Sequence, residues 1–303
     1  MSTTETHHGL FVYDTDEAFA GRAERYLLNG LERGRAVLAV TSAAKQELLH
    51  DTLGSAAKRI AFANPAAVYA RPETALARYD QLIRRSLHTG GPDFSVYGEF
   101  PPFDTQAEWD RWMAYEAILN RAFAGRPVEI MCGYDARAVP GAAMQRAWQC
   151  HRDVLTNEWQ ESPHYREPPD LVRDLTPVPE PLRGLTSLPI GEPRDVRERL
   201  AGELSTAGVS ADRAGGLVLA TGEALSNAER YGNGVRLLRT GRVGESFVCE
   251  VCDRGTGFDD PLAGYLPPRS GGSGGAGLWV ARQLTERLEL FCEPGGFTVR
   301  LWI

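Results

Sequence analysis

No stretch of this 303-residue chain approaches the eighteen consecutive apolar residues that a membrane helix needs. The polar start Met1-Ser2-Thr3-Thr4-Glu5 lacks the layout of a signal peptide. Basic residues are in deficit, 33 Lys and Arg against 40 Asp and Glu. The resulting net charge of −7 argues against nucleic acid bound through a broad basic surface, and against attraction to anionic lipid. Cysteines number five, an odd count that suggests free thiols in place of a disulfide framework. No Gly-x-x-x-x-Gly-Lys-Ser/Thr phosphate loop follows any strand-like segment. These shortages predict a cytoplasmic protein with no direct nucleic-acid or membrane partner.

What is present is ample apolar material, 43% of residues, enough for the two cores that this length favours. Eight of the nineteen prolines fall between 158 and 193. Proline removes amide donors and restricts its predecessor, so that stretch should hold no long helix or central strand. It reads as an extended connector, dividing the chain into residues 1–157, a linker at 158–193 and residues 194–303.

Residues 1–157 alternate short apolar runs (10–13, 36–41, 60–62, 94–97 and 128–132) with helical patterns (16–33, 43–53, 72–89, 105–124 and 140–157). The expected fold is α/β, a parallel sheet sandwiched by helices. Open sheets of this kind bind ligands outside the carboxyl ends of their strands. A small-ligand rim is therefore expected from Tyr13, Glu99, Cys132, Tyr134 and Asp135, joined by His151 on the last helix.

Residues 194–303 read as α+β. Helices are expected at 194–207 and 211–231, with strands near 234–239 and 246–253. A further helix, with Leu278 and Leu284 on its apolar stripe, precedes two last strands at 288–293 and 297–303. Cys249 and Cys252 have metal-ligand spacing, yet residues three apart on a strand face opposite ways, which favours core packing.

Three short motifs in this part describe one nucleotide pocket. Glu223 and Asn227, four apart, share a helix face. The asparagine carbonyl suits Mg²⁺, and the carboxylate can take a proton from an attacking hydroxyl. Asp253, ending a strand, can accept the exocyclic amine of adenine, with Gly255 and Gly257 offering an unobstructed backbone. The glycine-rich run 271–277 leads into a helix, whose free amides and dipole suit phosphates.

Jointly, these motifs resemble the GHKL (Bergerat) ATP-binding fold, and most closely its anti-sigma-factor serine kinase branch, the RsbW-like proteins. The resemblance covers residues 194–303. It implies ATP and Mg²⁺ as cofactors, Glu223 as general base and Asn227 as Mg²⁺ ligand. It further implies Asp253, Gly255 and Gly257 at adenine, and Gly275, Gly277 and Leu278 at the lid-and-helix junction. The chain departs from the family at Tyr231, where histidine is frequent, and at Phe297 after Gly296. Less specifically, residues 1–157 resemble the MEDS sensory domain and its RecA-like core. That resemblance rests on the segment from His8 to Tyr13, Tyr97-Gly-Glu99, Cys132-Gly-Tyr-Asp135 and His151. The pairing resembles RsbA-type anti-sigma regulators. It implies a sigma factor and a STAS-type anti-sigma-factor antagonist as partners, a small ligand at the N-terminal domain, and a possible homodimer.

Besides ATP hydrolysis coupled to DNA work, which size and acidic charge disfavour, two other functions compete. One is an ATP-binding switch without transfer. The other is a histidine kinase phosphorylated at His151, disfavoured because prolines stand where a dimerisation hairpin would be.

Overall fold

The structure is a computed structural model, and it describes residues 7–88, 93–155, 158–177, 179–266 and 276–303. The chain divides into two compact units, 1–176 and 177–303.

The first unit runs β1 (His7–Tyr13), α1 (Asp16–Glu32), β2 (Ala36–Val40), α2 (Ala43–Leu53), β3 (Ile60–Ala63), α3 (Pro65–Val68) and α4 (Pro72–His88). It continues with β4 (Phe94–Gly98), α5 (Gln106–Ala122), β5 (Val128–Asp135), α6 (Gly141–Cys150), β6 (Asp153–Leu155), β7 (Trp159–Glu161) and α7 (Pro168–Leu175). The sheet order is β3-β2-β4-β5-β1-β6-β7, parallel except for β7. Side-chain alternation sorts the two faces. Phe11, Tyr13, Tyr97 and Met131 pack with Phe19, Leu27 and Leu49 of α1 and α2. His8, Leu10 and Cys132 point to the opposite face, where α5 lies. Thr105 and Glu108 form a reciprocal capping box that starts α5, a device contributing about 1 kcal/mol.

Two expectations need correction here. The helix read over 140–157 ends at Cys150, because His151 is extended (φ −102°, ψ 122°) and feeds β6 beside β1. The proline-rich segment is also not one extended connector. Pro168 and Pro169 occupy the first turn of α7, where amide donors have no intrahelical partner anyway. Leu171, Val172 and Leu175 of that helix are buried in the first unit.

The second unit runs β8 (Thr186–Ser187), α8 (Pro193–Thr206), α9 (Ala211–Tyr231), β9 (Val235–Val243), β10 (Ser246–Asp253), α10 (Ala276–Leu284), β11 (Arg287–Glu293) and β12 (Gly296–Trp302). Its sheet, β11-β12-β10-β9-β8, is antiparallel. Val196, Leu200 and Leu204 of α8 join Leu217, Ala220, Ala224 and Ala228 of α9 in one core against Leu238, Cys249, Val251 and Val299. Leu219 of α9 is 51% exposed because it lies off the 217-220-224-228 line. Cys249 takes the hydroxyl of Thr221 on the helix side, whereas Cys252 takes that of Thr298, its cross-strand partner on β12. The two thiols face opposite ways, as alternation requires.

Candidate functional site

In the second unit, α9 carries Glu223 and Asn227 one turn apart, both half-buried. The N-terminal end of α10 sits directly on that face. A Cβ on Gly277 would stand 2.7 Å from Glu223 Oε2 and 3.3 Å from the Asn227 side-chain nitrogen. The space kept open by this glycine is what brings the first and third motifs together. Leu278 packs partly buried against the core and lies against Gly264, fixing the start of α10. Gly275 and the rest of the run 271–275 lie outside the described residues.

Asp253 closes β10 and is held by backbone. Its Oδ1 accepts the amides of Gly255 (2.8 Å) and Phe297 (3.3 Å), while Oδ2 lies against Gly232 at the end of α9. Both glycines of this motif answer to the protein itself. A Cβ on Gly255 would come within 2.9 Å of Gly232 Cα. Gly257 has φ +71°, and its Cβ would lie 2.5 Å from the Phe297 ring. Phe297 is thus part of the turn that shapes the motif, whereas Tyr231 is 71% exposed. Asn227 offers a hard amide oxygen and Glu223 a carboxylate beside a glycine-cleared gap, a donor set that fits a magnesium-bound phosphate chain.

In the first unit the expected rim separates into two groups. Tyr13, Glu99, Tyr134 and Asp135 do line a cavity of about 350 Å³ at the carboxyl ends of the strands, with Lys45, Phe100 and Trp109. Its floor is the buried Glu99 carboxylate, which accepts the hydroxyls of Tyr13 (2.6 Å), Tyr97 (2.7 Å) and Thr41. Lys45 Nζ donates to the same carboxylate at 3.3 Å. Burial and this carboxylate push the Tyr13 hydroxyl well above its ordinary pKa. Gly133 is glycine because the Tyr97 hydroxyl occupies the place of its Cβ.

Cys132 and His151 are not at the rim. Strand β5 continues to Asp135, so Cys132 is mid-strand opposite Leu10 and faces α5. There it meets His8, Glu116 and His151, all four buried. Sequence reasoning missed Glu116, and also Lys45 and Thr41. Glu116 had a readable signal, a carboxylate inside the apolar run from Trp112 to Leu119. Lys45 and Thr41 had none.

Comparison with known proteins fits this division. Residues 7–152 match the MEDS family, described as the MEthanogen/methylotroph, DcmR Sensory domain. Residues 189–303 match the family described as Histidine kinase-like ATPase domain. No curated protein matches the chain. Among solved structures, the RsbU and RsbW domains of Rv1364c from Mycobacterium tuberculosis are similar at 22% identity over 41% of this chain, with a TM-score of 0.28. This chain covers 32% of that one. The architecture is therefore a MEDS domain followed by a histidine kinase-like ATPase domain.

Proposed function

We propose that the second unit binds Mg-ATP and passes its γ-phosphoryl group to a serine or threonine of a small anti-sigma-factor antagonist. In the same reading the protein sequesters a sigma factor when that antagonist is disabled, and the first unit sets the balance in response to a small ligand. The carrying observation is the meeting of Gly277 with the Glu223–Asn227 face of α9. Asp253, its Oδ1 fixed by two amides, stands against Gly232, just past the C-terminal end of the same helix.

Each residue has a defined task. Asp253 Oδ2 accepts the adenine amine. Asn227 would hold Mg²⁺, which supplies charge neutralisation to the phosphates when bound. Glu223 takes the proton of the partner hydroxyl as its oxygen bonds to the γ-phosphorus. The bond from that phosphorus to the bridging oxygen breaks, and ADP leaves with the electron pair.

The test is label transfer from γ-labelled ATP to a candidate antagonist by the full chain. Acid-stable label on serine or threonine is expected, and Glu223→Ala should keep ATP binding while losing transfer. Calorimetry that detects no heat with Mg-ATP would defeat the reading. Binding without transfer would leave a nucleotide switch. Phosphorylation at His151 has the structure against it: that ring is fully buried, with Nδ1 engaged by the Ala147 carbonyl at 2.7 Å.

A further inference from the structure

The buried group beneath the MEDS cavity has four potential ligand atoms within 4.8 Å of one another. They come from His8 on β1, Cys132 on β5, Glu116 on α5 and His151 just past α6. Glu116 Oε2 is the centre, 2.8 Å from His8 Nε2, 3.2 Å from His151 Nε2 and 3.3 Å from Cys132 Sγ. Cys132 Sγ is 3.4 Å from His8 Nε2. We propose that these four side chains form a closed, four-coordinate site for a divalent first-row transition metal, with Zn²⁺ the ion that suits the donors best.

The tautomers carry the argument. His151 Nδ1 lies 2.7 Å from the Ala147 carbonyl, which only accepts, so Nδ1 carries the hydrogen. Nε2 of the neutral ring is then a bare lone pair. It is buried and makes no hydrogen bond, although Glu116 is near. His8 is arranged in the same way. Asn120 donates its amide hydrogens to the carbonyls of Cys150 (2.7 Å) and Ala117 (3.3 Å), so its oxygen faces His8 Nδ1 at 3.2 Å. His8 Nε2 therefore also presents a lone pair. Two imidazole lone pairs aimed at one carboxylate oxygen repel unless a cation stands between them. Pinning Nδ1–H to a carbonyl and leaving Nε2 bare is how ligating histidines are oriented.

Charge and spacing agree. One thiolate, one carboxylate and two neutral rings around a dication sum to zero, which removes most of the cost of burying ions. A proton at the centre would satisfy one lone pair and leave the other facing the carboxylate. Metal bonds of about 2.0–2.3 Å at tetrahedral angles set donor atoms roughly 3.3–3.8 Å apart. The four short separations here, 2.8 to 3.4 Å, need a small outward shift, and the remaining ones, within 4.8 Å, a closing movement of up to about 1 Å. Mixed sulfur and imidazole donors select zinc and its neighbours over Mg²⁺ or Ca²⁺. Four protein donors leave no open position, so the ion would tie β1 and β5 to α5 and to the junction after α6. The Tyr134 ring, on the wall of the cavity, packs edge-on against His151 at 5.9 Å.

The test uses the full-length chain, stripped with a chelator and titrated with Co²⁺, and separately with Zn²⁺. Expected are one equivalent bound per chain and an intense visible spectrum of tetrahedral Co²⁺. A near-ultraviolet thiolate-to-cobalt band should accompany it, and both should be displaced by Zn²⁺. Cys132→Ser should abolish the thiolate band. Asn120→Leu touches no ligand atom, yet freeing His8 Nδ1 should weaken binding about 10- to 100-fold. Asp51→Asn, at an exposed position of α2, should leave the spectrum and the affinity unchanged. Absence of a thiolate band in the wild-type chain, or its survival in Cys132→Ser, would overturn the assignment, the latter pointing to the exposed Cys292. An Asn120→Leu affinity equal to wild type would overturn the orienting argument on which it rests.

Discussion

Gly277 on α10 and Glu223 on α9 are so close that a methyl group on the glycine would stand 2.7 Å from the carboxylate oxygen. The clash is with the tip of a flexible side chain, which can rotate away. Gly277 lies in the first turn of α10, where alanine costs no more than glycine in helix propensity. Gly277→Ala should therefore fold with stability within about 1 kcal/mol of wild type. Displacing Glu223, the proposed general base, is costlier for chemistry, where a misplacement of about 1 Å can lose two orders of magnitude. Phosphoryl transfer should fall about 100-fold with ATP affinity little changed. Thermal melts, calorimetry and label transfer on the same sample check this. Undiminished transfer would remove Glu223 from the base role.

Asp253→Asn separates the two oxygens of that carboxylate. The asparagine oxygen can still accept the Gly255 and Phe297 amides, so β10 and β12 should stay paired. At the other position a donor replaces an acceptor, and it would face the donor amine of adenine. A hydrogen bond to a charged group contributes about 1.5–3 kcal/mol, so ATP should bind roughly 10- to 100-fold more weakly. GTP, with a carbonyl at that place, should lose less. Calorimetry with both nucleotides decides it, and equal losses would mean that Asp253 does not read the base.

Much of this was legible from residue pattern, for identifiable reasons. The bounds of α9 and of β10 fall where helical periodicity and strand alternation put them, because each element has one strongly apolar face. Tyr13 and Glu99 could be placed at the strand ends, where they line the cavity, because strand ends are marked by the end of an apolar run. What escaped depends on contacts distant in sequence. Lys45 reaches Glu99 from α2, across 54 positions. Cys132 moved from the rim to the interior because β5 runs three residues beyond its apolar stretch, through Gly133, Tyr134 and Asp135. The helix read through His151 stopped short because β6 claims the chain as a partner for β1, a tertiary demand that no local propensity records.

On the sheet face of the second unit turned away from α9, Arg300 and Glu250 are cross-strand partners, 2.6 Å apart and both buried. Glu250 is also paired with Arg239 at 2.6 Å, and Arg300 with Glu289 at 3.1 Å. Removing one member of a buried pair typically costs about 3–5 kcal/mol. Because Arg239 still faces Glu250, Arg300→Met should fall at the lower end, about 3 kcal/mol. Adding Glu250→Leu should recover much of that loss, since an apolar replacement of a buried pair is often near neutral. Urea unfolding of the single and double variants measures the coupling. A double variant as unstable as Arg300→Met would show that packing, not charge, carries the effect.

Thiol chemistry separates the five cysteines. Cys132, Cys150, Cys249 and Cys252 are buried and Cys292 is exposed. Burial raises the thiols of the buried four, that of Cys249 to about 12. Since the thiolate is the nucleophile, one fast-reacting thiol per native chain is expected near pH 8, and none in Cys292→Ser. Unfolding should expose all five. The same shift has a consequence in alkali. Between its ordinary value of 9 and about 12, folded Cys249 keeps a proton that the unfolded chain releases. The folded state then binds more protons than the unfolded one, so stability falls as pH rises through that window. A melting temperature that declines from pH 9 upward, and declines less in Cys249→Ala relative to its own neutral-pH value, is the expected result. Two or more fast thiols in the native chain would contradict the burial of the other four.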